Sequence, residues 1–64
     1  MTYYKNWALA YNECSDEMKQ KSREHWRKVH AENLKEGRSD LYMFSAQILA
    51  AIELVDNGRI KDLF

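Results

Sequence analysis

Proline is absent from this 64-residue sequence, glycine occurs only at Gly37 and Gly58, and Cys14 is the single cysteine. Each shortage excludes something. A chain without proline, whose two glycines stand where a helix can stop, reads as helices ended by glycine. One thiol excludes an internal disulfide. Metal ligands are equally scarce: His25 and His30 stand five apart, about 140° around a helix, whereas zinc-binding helices use spacings of three or four. Ten basic and ten acidic side chains leave no net charge, which argues against binding to a polyanion by bulk charge. The longest apolar run, Ile48 to Ile52, is far too short to cross a bilayer. Lys5 and Asn6 interrupt the N-terminal segment before an apolar run forms, so no signal peptide is expected. A lone thiol with no targeting segment makes a reducing cytoplasm the expected location.

Catalytic signatures are missing as well. The sequence contains no nucleophile elbow, Walker, dinucleotide-binding, HExxH or CxxC pattern. Cys14 has no His or Lys at helical contact spacing, and so short a helical chain offers little concavity for a pocket. No catalytic residue, metal ligand or cofactor is expected, and the chain reads as a binding protein.

What is present is apolar surface. The hydrophobic share is 45%, and eight residues are aromatic. A single domain spanning residues 1–64 sits near break-even between burial and chain entropy, so it needs a staple or a partner. With disulfide and metal excluded, association is the aid that remains.

Three helices are expected. The first runs over 3–13, with Thr2 as N-cap and Tyr4, Trp7, Tyr11 and Cys14 as one aromatic stripe. Ser15, with Asp16 and Glu17 behind it, marks a fresh start. The second helix runs over 16–36. Its apolar side is thin (Met18, Ser22, Trp26, Val29, with Asn33), and its far side pairs Glu17–Lys21, Glu24–Lys28 and Glu32–Lys35. Gly37 stops it. After a very short connection Ser39 and Asp40 open the third helix, 40–56, so the second and third should form an antiparallel hairpin. A tail over 59–64 spaces Ile60, Leu63 and Phe64 like one helical turn.

The third helix carries the most information. Leu41, Phe44, Ile48, Ile52 and Val55 form one stripe, yet Met43, Ala46, Ala50 and Leu54 line a second side, with only Ser45, Gln47, Glu53 and Asp56 polar. A helix apolar nearly all round is buried on several sides. The expected fold is therefore an all-α bundle of two or three helices built on the hairpin and completed by homodimerisation. Met43, Ala46, Ala50 and Leu54 form its self-association strip.

Candidate partner-binding residues come from two places. Tyr3 and Tyr4 are adjacent and point about 100° apart, so both cannot face one core, and tyrosine is enriched at binding hot spots. Lys19, Arg23 and Arg27 recur every four residues, with Trp26 beside them and His30 continuing the line. Such a ridge can meet phosphates or an acidic surface, but three cations are few and nearby carboxylates cancel their field. Asp56 is expected to find Arg59. The functional expectation is a small non-enzymatic regulator (inhibitor, adaptor or accessory factor) docking on a larger protein. A nucleic-acid-associated regulator using the ridge is the alternative. No membrane role is expected, because neither long helix pairs an apolar face with a basic one.

Overall fold

The computed structural model describes the backbone of residues 2–63 and the side chains of residues 5–63. In chain order these form α1 (Thr2–Asn12), α2 (Asp16–Lys35), α3 (Ser39–Asp56) and a 3-10 helix (Ile60–Leu63). No strand occurs among the described residues, so the chain is an all-α bundle. The side chains of the expected cap Thr2, of the interface candidates Tyr3 and Tyr4, and of Phe64 lie outside the described residues.

Local chemistry explains the boundaries. Ser15 is extended, with φ −65° and ψ 163°, and its hydroxyl oxygen accepts the Met18 N–H at 3.3 Å. Asp16 and Glu17 then occupy the first turn of α2, where carboxylates meet the positive end of the helix dipole. Cys14 falls beyond the end of α1, so the N-terminal stripe stops short of it. Both glycines hold left-handed φ values, 68° at Gly37 and 72° at Gly58. At the end of α2 the Gly37 N–H donates to Leu34 O at 3.2 Å and the Arg38 N–H to Asn33 O at 3.0 Å. At the end of α3 Gly58 and Arg59 repeat this on Val55 O and Leu54 O, at 3.0 and 2.7 Å. Two Schellman stops thus cap carbonyls that would otherwise be orphaned.

The core is made mostly by α1 and α3. Ala8 and Tyr11 pack with Ile48, Ala51, Ile52 and Val55, and Ile60 and Leu63 of the 3-10 helix close over them. Trp7 stacks on Tyr11 with ring centroids 5.3 Å apart and meets Trp26 edge-on at 6.3 Å. Trp26 in turn tilts onto Phe44 at 5.9 Å. Each such pair adds about 0.5–1.5 kcal/mol beyond its area, and together they bind α2 to a core in which it buries only Asn33.

Several expectations are corrected by this packing. Leu41 belongs by spacing to the buried stripe of α3 but is 48% exposed. The 11 residues of α1 span about 16 Å and the 18 of α3 about 27 Å, so α1 covers only part of its neighbour. Ser45, one of the few polar residues of the helix, has 0% exposure. Met18 is 51% exposed, because it stands about 100° from the face marked by Lys19, Arg23, Trp26 and His30. Of the three Glu–Lys pairs only Glu17–Lys21 closes, at 3.6 Å between exposed side chains; the carboxylate of Glu24 instead accepts from Gln20.

Candidate functional site

Two helical stripes face each other across the seam between α2 and α3. Arg23, Arg27, His30 and Leu34 recur at i, i+4, i+7 and i+11 on α2. Tyr42, Ala46, Leu49, Glu53 and Asp56 recur at i, i+4, i+7, i+11 and i+14 on α3. The expected basic ridge is therefore one wall of this seam. Most of it turns inward.

At the end far from the turn, three helices are tied by one polar cluster. The Tyr11 hydroxyl of α1 donates to Asp56 Oδ1 at 2.8 Å. The Arg23 guanidinium of α2 donates to the Tyr11 oxygen at 3.0 Å and pairs with Asp56 Oδ2 at 3.3 Å. Arg23, not Arg59, neutralises Asp56; Arg59 instead pairs with Asp62 at 2.8 Å, one 3-10 turn away. Burial, with the hydrogen bond given to Asp56, raises the Tyr11 phenol above its ordinary pKa. Lys19 Nζ lies 5.9 Å from the centre of the same ring, within cation–π reach.

Nearer the turn, His30 stacks on Tyr42 at 4.2 Å, and its Nδ1 lies 2.7 Å from Ser45 Oγ. A serine–histidine contact of this length is also how a nucleophile meets its base. Here Ser45 has no exposed surface, and its hydroxyl donates to Tyr42 O at 2.9 Å. With its only proton so placed, Ser45 accepts from His30, so Nδ1 carries a proton. Ser45 is thus a buried strut with the half-buried His30 set against it.

Among the described residues two hollows lie along the seam, one on each side of the His30–Tyr42 stack. The larger, about 430 Å³, is floored by Leu49 and Ile52 and edged by Arg27 and Glu53. Arg27 is thus the member of the ridge that remains exposed. The smaller, about 200 Å³, lies at the turn between Leu34, Gly37 and Tyr42, and its walls are almost wholly apolar. Leu34, at its edge, is 66% exposed.

Of the four expected self-association residues, Ala46 lies on the seam stripe, and the other three stand on the outer side of α3. Met43 is 56% exposed, Ala50 is exposed, and Ala46 and Leu54 are half-buried. Trp26, named with the ridge, is half-buried in the aromatic cluster. The sequence-predicted residues thus separate into an outer side (Met43, Ala50, Leu54), a seam position (Ala46), a latch (Lys19, Arg23), a core edge (Trp26) and a groove wall (Arg27). Sequence reasoning missed Ser45, Leu34 and the turn hollow. A signal existed for Ser45: it and His30 are equally far from the centre of the turn at Gly37–Arg38, so a folded-back pair of helices brings them level.

Among the described residues no group of three His, Cys, Asp or Glu side chains could hold a metal ion, and no buried side-chain polar atom lacks a partner. Among the same residues no helix is long and apolar enough to cross a membrane. Comparison with protein-family models, with curated proteins and with solved structures gave no match.

Proposed function

We propose that the chain is a small non-enzymatic regulatory binding protein of the cytoplasm, an inhibitor, adaptor or accessory factor. It docks on a larger protein through apolar and aromatic helix surface. In this reading it works as a homodimer of antiparallel helical hairpins joined along the outer side of α3, which leaves the seams of both copies open to the partner. The observation that carries the docking reading is the turn hollow, where an apolar cavity sits beside an exposed Leu34. Binding hot spots are apolar pockets of this kind, filled by one or two anchoring side chains of the partner.

A nucleic-acid reading has less support. Lys19, Arg23 and His30 each contact a side chain of another helix, which leaves Arg27 as the exposed cation of the ridge, too few for phosphate-driven affinity.

The test places a photo-crosslinking residue at position 34, or at position 24 on the solvated side of α2, in cells of the native host. One discrete protein adduct from position 34, absent from position 24 and abolished by Tyr42→Ala at unchanged helicity, is the expected result. Equal adducts from both positions, or adducts that vanish on nuclease treatment, would overturn the reading.

A further inference from the structure

A polar group that folding hides from water normally finds a partner, because leaving it without one destabilises the fold. Asn33 departs from this. It is the residue of α2 that the fold buries, only 6% exposed, and among the described residues its side-chain amide makes no hydrogen bond. No fully enclosed polar atom of a described side chain lacks a partner. The Asn33 amide therefore reaches solvent, and the opening that the residue lines is the hollow at the turn. An apolar cavity with one unanswered amide in its wall suits an occupant that is apolar and also carries a hydrogen-bonding group.

Volume, hydrogen bonding and charge each narrow that occupant. An apolar cavity of about 150 Å³ holds a benzene ring, so a space of about 200 Å³ takes one side chain between leucine and phenylalanine in size. An amide presents a carbonyl oxygen and N–H groups side by side. Their complement is an N–H and a carbonyl side by side, which an extended main chain offers at each residue. Within a helix the same groups are already bonded along the helix. Charge points the same way. Arg38 is the charged residue lining the hollow, and its guanidinium is paired with Glu36 at 2.8 Å. The walls thus leave no charge unanswered, and they complement a neutral group.

We propose that the turn hollow binds an extended segment of the partner by a single residue. The apolar side chain of that residue fills the hollow, and its own N–H and C=O pair with the Asn33 side-chain amide. The inference rests on docking at the turn hollow and adds the chemistry and conformation of what docks. Asn33 is well held for this task. Its main-chain carbonyl accepts the Arg38 N–H at 3.0 Å in the stop of α2, which fixes the backbone that carries the amide. The amide also supplies selectivity. A purely hydrocarbon occupant would shut it away from water with no partner, a loss that the peptide group avoids.

The experiment titrates the full chain, labelled with nitrogen-15, with N-acetyl-leucine N′-methylamide, a leucine with a peptide group on each side. So small a ligand should bind with a dissociation constant on the order of millimolar. The side-chain NH2 signals of Asn33 should shift in step with the main-chain signals of Leu34 and Tyr42. Asn33→Ala and the similarly sized Asn33→Leu, each at unchanged helicity, should weaken binding roughly tenfold. A second ligand tests the same contact on the unmodified chain: the analogue with oxygen in place of the leucine N–H should bind several-fold more weakly. Equal binding of the two ligands, or tighter binding of N-acetyl-leucine with its free carboxylate, would overturn the peptide pairing and leave the hollow as an apolar docking site. No shift at Asn33, Leu34 or Tyr42 at roughly ten times the expected dissociation constant would overturn the docking site as well.

Discussion

The two ends of the α2–α3 seam are built on opposite principles. Far from the turn, Tyr11, Arg23 and Asp56 bring one polar group from each helix into a single cluster, with the core close behind it. At the turn α1 no longer reaches, Leu34 and Leu41 stand largely in solvent, and the hollow between α2 and α3 has apolar walls. The first end holds the bundle together. The second leaves surface free for something else. The difference follows from length, because α1 is little more than half as long as the α3 helix it covers.

The largest expected effect comes from the centre of the core. Ile48 is essentially without exposed surface, and Ile48→Ala should cost about 2–5 kcal/mol, enough to unfold much of the population of a marginal domain. Urea titration followed by circular dichroism checks this; a loss below 1 kcal/mol would mean that the core relaxes around the cavity. Next comes Ser45→Ala, which strands the His30 Nδ1–H in a buried setting and should cost about 1–3 kcal/mol. Hydrogen exchange should show the loosening at the turn half of the seam first. Equal loosening at the Tyr11 end would erase the contrast.

Tyr11→Phe should be milder, about 1 kcal/mol for a hydrogen bond that is only partly buried. It also changes the response to alkali. The folded state holds the Tyr11 proton more tightly than the unfolded chain does. Its contribution is therefore complete below the ordinary tyrosine pKa of about 10 and is lost as pH rises through the higher folded value. Stability should fall more steeply above pH 10 in the unmodified protein than in Tyr11→Phe, and parallel curves would show that the phenol is not protected. Leu34→Asp, on the open end, should change stability by no more than about 0.5 kcal/mol, which makes it the right probe for binding. A larger loss would mean that the turn hollow is part of the core.

Much of this architecture was legible before the coordinates. The pause at Ser15, the glycine stops and the overloaded third helix all follow from capping chemistry and from a 3.6-residue period. The polar pairings did not follow. Asp56 finds Arg23, 33 residues away, and not Arg59, because helix pairing sets the distance and the sequence interval does not. The burial of Ser45 did not follow either, because its neighbour across the seam, His30, belongs to another helix, and a hydroxyl is hidden only where a second polar group meets it. Leu34 escaped notice for the opposite reason: nothing in a helical pattern marks an apolar residue that the fold leaves uncovered.

The turn at Gly37 has a consequence of handedness. Its φ of 68° lies where mirror-image amino acids are at ease, and a methyl group added there would meet nothing within 4 Å. L-alanine at this position must carry left-handed strain, whereas D-alanine fits without it and narrows the wandering of the unfolded chain, by roughly 0.4–1 kcal/mol on the usual scale for such replacements. A chemically synthesised chain with D-alanine at position 37 should therefore melt above the natural one, and its L-alanine counterpart below. A single stereocentre, at a residue that itself lines the hollow, would set how firmly that open end is held.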